Sequence, residues 1–415
     1  MATFFLIIIY LAFISLGLPD SLLGAVWPIM QSDYDVPLET AGMIFMVIAG
    51  STIVSSLMSG KVLARFGTGK VTLVSCILTA GALLGFAVSP SLIWLILCAI
   101  PLGIGGGSVD SGLNNYVAAH YKAHHMSWLH CFWGVGATLG PMIMAPFITG
   151  QGAWRQGYLM VAGIQLGLVI ILFVTLPLWK RVGHHGDNTE PKKEFTDEAA
   201  IEADEAERLL SQPKKPLQVK GVKLALATFL FYCAVEATMG LWGSSFLVNV
   251  KDMSAASAAK WVSLFYAGIT IGRFITGFIT FKMTNRMLIR VGQVMTLAGA
   301  AFMLLPLPTS FALAGFMIVG LGLAPIFPCM LHETPERFGK KHSQSIMGFQ
   351  MALAYTGSTF MPPLLGFVAA YSTIGIFPSY IVICALAMLL FSERLNGILK
   401  KKHHAGANKP NSLTT

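Results

Sequence analysis

Tyr158-Leu-Met-Val-Ala-Gly-Ile-Gln-Leu-Gly-Leu-Val-Ile-Ile-Leu-Phe-Val-Thr-Leu-Pro-Leu-Trp179 carries no charged residue from end to end. A transmembrane helix needs about 20 consecutive, mostly apolar residues, whereas the strands of a membrane barrel alternate apolar with polar. This stretch is long enough and does not alternate, so it reads as a membrane-spanning helix. Apolar runs of the same kind fall at roughly 4–30, 38–60, 71–89, 92–118, 126–150, 155–179, 222–250, 257–281, 287–306, 309–331, 343–369 and 372–392. The composition agrees: 55% of the 415 residues are hydrophobic and 11% charged, and the mean hydropathy is +0.68. Soluble proteins are about 25% charged, and disordered chains lack apolar surface. The sequence therefore predicts an all-α membrane protein with twelve transmembrane helices embedded in a lipid bilayer.

The runs divide into two sets of six. The expected organisation is an N-terminal six-helix bundle over 1–179, a cytoplasmic linker over 180–221, a C-terminal six-helix bundle over 222–392 and a basic cytoplasmic tail over 393–415. Lysine and arginine set the orientation, because cytoplasmic loops are enriched in them. Of the 28 such residues, 24 fall on the side that carries both termini, including Lys61, Arg65, Lys70 and Lys122, while Arg155, Lys251 and Lys260 fall on the other. Both termini are thus expected in the cytoplasm of a cell-membrane protein. The formal charge of +9 is a topology signal and not a nucleic-acid footprint.

The six cysteines sit singly inside apolar runs and read as small buried hydrophobes. No metal-ligand spacing, phosphate loop or nucleophile motif occurs. Neither a cofactor nor an enzymatic activity is expected, and the glycines of Gly103–Gly107 read as close-packing positions between helices.

The two halves repeat. Asp20-x3-Gly24 recurs as Glu236-x3-Gly240, Gly60 and its basic loop as Gly277 and its basic loop, and Gly136-Ala-Thr-Leu-Gly-Pro141 as Gly357-Ser-Thr-Phe-Met-Pro362. Three matches at nearly one offset indicate homologous bundles. Parallel repeats of this kind place a substrate site at their interface near the midplane.

Six plus six helices with Gly60, Arg65, Gly67 and Lys70 in the loop after the second run resemble the major facilitator superfamily, although Ala64 stands where its loop pattern carries an acid. Within it, Leu18-Pro-Asp20-Ser-Leu-Leu-Gly24 resembles the acidic first-helix motif of the fucose permease (fucose–galactose–hexose:proton symporter) group. Gly103-Ile-Gly-Gly-Gly-Ser-Val-Asp110-Ser-Gly-Leu-Asn114-Asn115 resembles that group's glycine-rich fourth helix, with Asp110 where glutamate is usual. His130 falls near a family glutamine and Trp133 near an asparagine. The resemblance implies the major facilitator fold, two pseudo-symmetric six-helix bundles that alternate access by rocking.

Four ionisable residues lie inside the runs, and each is a functional hypothesis because charge in hydrocarbon is costly. Asp20 and Asp110 are the candidate proton-coupling groups, since an acid protonated on one side and released on the other is what coupling requires. Their alternative role is to hydrogen-bond neighbouring backbone. Glu236 is a candidate for solute hydroxyls or for a bond to an opposite helix. Arg273 is a candidate structural ion pair or gate, alongside Arg65 and Lys70 at the loop. Asn114 shares a helix face with Asp110, and Asn114 and Asn115 suit a hydroxyl-rich ligand or a helix–helix bond. Trp133 and Trp242 are candidates for stacking on a sugar ring, and His130, Gln350, Tyr355 and, in a second role, Asp20 complete the candidate substrate-binding set.

The expectation is a monomeric secondary active transporter that takes up a small neutral polyhydroxyl solute, such as a hexose or deoxyhexose, by proton symport. A sodium-coupled variant stays open. So do efflux of amphipathic drugs or glycolipid flipping on the same fold, and a non-transporting receptor or scaffold.

Overall fold

The computed structural model describes residues 2–120, 123–148, 153–185, 216–280 and 282–407. Most of the 180–221 linker, the last residues of the tail and the side chain of Asn115 lie outside the described part.

Among the described residues the α-helices are α1 (Ala2–Asp20), α2 (Leu22–Tyr34), α3 (Thr40–Phe66), α4 (Thr68–Ala87), α5 (Leu92–His120), α6 (Ala123–Met144), α7 (Trp154–His185), α8 (Val222–Lys251), α9 (Ala255–Ile279), α10 (Asn285–Leu304), α11 (Thr309–Leu323), α12 (Ile326–Phe338), α13 (Lys340–Ala370) and α14 (Phe377–Ala407). The α1–α2 and α11–α12 pairs each form one broken rod, so the chain crosses its own thickness twelve times. Ten of the rods are long and apolar enough to span a membrane. The other two, α6 and α13, have the length, but begin with polar stretches such as Ala123-His-His and Lys340-Lys-His-Ser-Gln-Ser345. We call the side on which α1 begins and α14 ends the near side, and the opposite one the far side.

The sequence repeat is visible in the packing. Gly136 of α6 presses onto the α1 backbone at Ile14, and Gly357 of α13 presses onto the α8 backbone at Leu230. Ile14 and Leu230 are themselves related by the repeat offset. Asp35 and Asp252, at the far ends of the first and seventh rods, both cap their helices in the left-handed conformation, with φ of 49° and 53°. Within the first half, Gly103, Gly105 and Gly107 let α5 sit against the backbones of α3 and α4, and hydroxyls of α3 tie the seam, as in Ser55 Oγ to Ile104 O at 2.7 Å.

The halves meet most closely on the far side. Gly24 of α2 faces the α8 backbone at Gly240 and Leu241; a Cβ there would stand 2.7 Å from Leu241 Cα. Gly42 meets Pro363 in the same way. Ser244 Oγ donates to Ala25 O at 3.0 Å, and Ser263 Oγ to Thr138 O at 2.6 Å. Backbone against backbone leaves no room for a solute, so the far side is closed.

Candidate functional site

Asp20 is the last residue of α1, and the first rod breaks at Ser21 directly after it. Pro19 and the break remove regular helix pairing at this level, which sets Asp20 at a bend halfway through the molecule. Gly17, one turn earlier, serves packing instead: it seats α1 on the α6 backbone at Trp133 and Ala137. Asp20 is solvent-exposed. Beneath the far-side seam, Asp20 lies in the space between the two halves, the central cavity.

Two clusters line this cavity. In the first, the Trp133 indole N–H donates to Asp20 Oδ2 at 2.8 Å. The same indole faces the second half, with the Arg273 guanidinium carbon 5.6 Å from its ring centre and the Tyr266 ring edge-on at 6.2 Å. Arg273 Nη2 lies 3.4 Å from Glu236 Oε1 and donates to the Tyr232 hydroxyl oxygen at 3.3 Å. In the second cluster, Asn114 Nδ2 donates to Asp110 Oδ1 at 2.8 Å, and the Tyr355 hydroxyl to Asp110 Oδ2 at 3.4 Å. Asp110 and Glu236 both lie within electrostatic reach of Asp20.

The structure thus brings together Asp20, Asp110, Asn114, Trp133, Glu236, Arg273 and Tyr355, drawn from both halves. His130 borders the group: its ring meets Phe13 edge-on at 6.0 Å. Two expected residues sit elsewhere. Trp242 is fully buried, its indole N–H bonded to Pro362 O at 2.7 Å, which locks α8 to α13 and leaves no free ring face for a solute. Gln350 is buried and accepts from Thr334 at 2.9 Å, tying α13 to α12. Arg65 and Lys70 are exposed at the near-side turn between α3 and α4, with Arg65 over the Phe66 ring at 5.4 Å. They do not join the cavity clusters.

Tyr232 and Tyr266 are the residues that sequence reasoning missed. Tyr232 precedes Glu236 by four and Tyr266 precedes Arg273 by seven, so helical spacing places each on its partner's face. Among the described residues no three His, Cys, Asp or Glu side chains gather as metal ligands. A separate depression of about 430 Å³ on the far face, walled by Gln31, Glu39, Asn249 and Thr373, lies away from both clusters.

Chemically, the cavity offers three carboxylates, an amide and the phenols of Tyr232, Tyr266 and Tyr355, with its one guanidinium committed to Glu236. That set accepts hydrogen bonds from hydroxyls and can take up a proton from water. An anionic solute would meet two unpaired carboxylates.

A broken first rod with its acid facing a cavity, and twin six-helix halves, agree with what family comparison finds. Residues 9–358 and 224–412 match the Major Facilitator Superfamily. The chain belongs to the Major Facilitator Superfamily. Among curated relatives it is similar to the glucose/mannose transporter GlcP of Bacillus subtilis, at 22% identity over 90% of this chain and 91% of that one. It is also similar to bypass of stop codon protein 6 of Saccharomyces cerevisiae, at 23% identity over 92% of this chain and 79% of that one. The crystal structure of a D-xylose-proton symporter superposes with a TM-score of 0.69 at 13% identity, covering 93% of this chain and 97% of that one. This member of the superfamily is a multi-pass membrane transporter of small solutes and not an enzyme.

Proposed function

We propose that this transporter takes up a small neutral polyhydroxyl solute, a hexose or deoxyhexose, by proton symport across a cell membrane, with both termini in the cytoplasm. The observation that carries the reading is the charge pattern of the cavity: Asp20, Asp110 and Glu236 against Arg273 alone, and Arg273 held by Glu236. Such a site repels carboxylates and phosphates and binds hydroxyls through charge-assisted hydrogen bonds. The name of the glucose/mannose relative supports the solute class.

Asp20 and Asp110 carry the coupled proton in this reading. Asn114, Glu236 and Tyr355 contact solute hydroxyls, with Trp133 and His130 beside them, and Arg65 and Lys70 act at the near-side gate. In this reading the closed-far-side state turns the acids toward the cytoplasm, where a carried proton would leave. Rocking of the halves then opens the far side and exposes the same acids to the outside.

The test is accumulation of labelled hexoses in proteoliposomes under an imposed pH gradient. Asp110→Asn is expected to keep counterflow at equal pH and to lose pH-driven accumulation. Accumulation driven by a sodium gradient and indifferent to pH would reassign the ion. Accumulation by the Asp20→Asn and Asp110→Asn variants at the parent's level would refute proton coupling through either acid.

A further inference from the structure

Opposite charges in one cavity normally find each other. Asp20 belongs to the first half and Arg273 to the second, and both touch the same side chain: the indole edge of Trp133 donates to Asp20 at 2.8 Å, and its face carries the Arg273 guanidinium at 5.6 Å. The two ions nevertheless make no ion pair with each other, and Arg273 turns to Glu236 on its own half at 3.4 Å. Trp133 has its backbone packed under Gly17 and its ring against Tyr266, so the ring is fixed between them.

We infer that Trp133 is a positioning residue, an insulating wedge that keeps Asp20 and Arg273 apart. A neutral N–H satisfies the Asp20 carboxylate without committing it to a fixed cation, and the ring face stabilises Arg273 by cation–π attraction without neutralising it. The wedge matters because a direct Asp20–Arg273 pair would cross between the halves. Arg273 is largely buried, its side chain 12% exposed, and a group so placed is costly to strip of a charge partner, so that pair would staple the halves together, hold Asp20 ionised and block the rocking that access requires. This consequence for coupling rests on the proposed proton symport; the separation of the two ions does not.

The charged and titratable groups that act on Asp20 are Asp110 on α5, Glu236 on α8 and Tyr266 on α9, while His130 and Cys131 on α6 and Tyr232 on α8 surround Arg273 on α9. Arg273 is the only permanent cation among them, so it is the partner that removal of the wedge would release.

The test is a melting comparison on the full-length protein in detergent, which needs no solute. Asp20→Asn is introduced into the parent, into Trp133→Phe, which keeps the wedge and drops the N–H, and into Trp133→Ala, which removes it. At pH 8 the substitution is expected to lower Tm in the Trp133→Ala background by about 2 °C more than in the other two, because there it breaks the newly formed ion pair. The excess should vanish when Arg273→Gln is added. If Trp133→Ala does not purify, Trp133→Leu serves in its place. An equal shift in all three backgrounds would overturn the wedge. The hexose panel tests the transport reading by itself, so the two can fail separately.

Discussion

Gly24→Ala adds one methyl group at the tightest crossing between the halves. The new Cβ would stand 2.7 Å from Leu241 Cα, 2.8 Å from Leu241 O and closer still to Gly240 O. All three atoms are backbone, so no side chain can swing aside. Ordinary carbon contacts are about 3.5 Å, and α2 and α8 must therefore separate by about 1 Å. Overpacking of this kind costs about 1–3 kcal/mol. The cost falls on the closed-far-side state alone, because rocking the halves apart on that side removes the contact. A penalty on one of two states shifts their equilibrium by its full amount, here roughly 5- to 150-fold toward the far-open state. The assay uses Ser244→Cys, in a background without the six native cysteines. Ser244 is fully buried against Ala25 O in the closed state. An impermeant maleimide added on the far side should label this thiol faster in the Gly24→Ala variant by that factor, up to full exposure. A labelling rate within twofold of the parent, with a clear loss of thermal stability, would show that both states bear the clash. The far-side seal would then not be the moving contact.

Three further outcomes follow from particular contacts. Trp242→Phe leaves the Pro362 carbonyl without its donor in a dry seam, which should cost about 1–3 kcal/mol in a thermal melt while solute affinity stays unchanged; a tenfold affinity change would return Trp242 to the solute site. Glu236→Gln should weaken apparent solute affinity about 10- to 100-fold, the loss of a charge-assisted bond, and keep the pH dependence of uptake, whereas a flat pH profile would move the proton site into the second half. A reporter fused after Pro191 should read as cytosolic and one inserted near Lys251 as external; the reverse pattern would invert the topology.

The fold was legible because a bilayer imposes it locally. Runs such as Tyr158–Trp179 satisfy their own backbone only as helices, and a repeat of Asp20-x3-Gly24 as Glu236-x3-Gly240 shows duplication without any knowledge of contacts. The cost of charge in hydrocarbon likewise singled out Asp20, Asp110, Glu236 and Arg273 one residue at a time. What the sequence did not contain was which of them face one another. Trp133 lies 113 residues from the Asp20 it bonds, and Arg273 lies 37 from Glu236; those partnerships depend on how α1, α6, α8 and α9 cross. Trp242 makes the same point in reverse. Its aromatic ring made it a sugar-stacking candidate, yet helix rotation turns it toward α13, where Gly366 and Pro362 enclose it. Hydropathy and repeats record what each segment must bury, and they settle span, number and symmetry. The direction in which a tryptophan points within a helix bundle is set by the packing of its neighbours, and only the tertiary structure decides it.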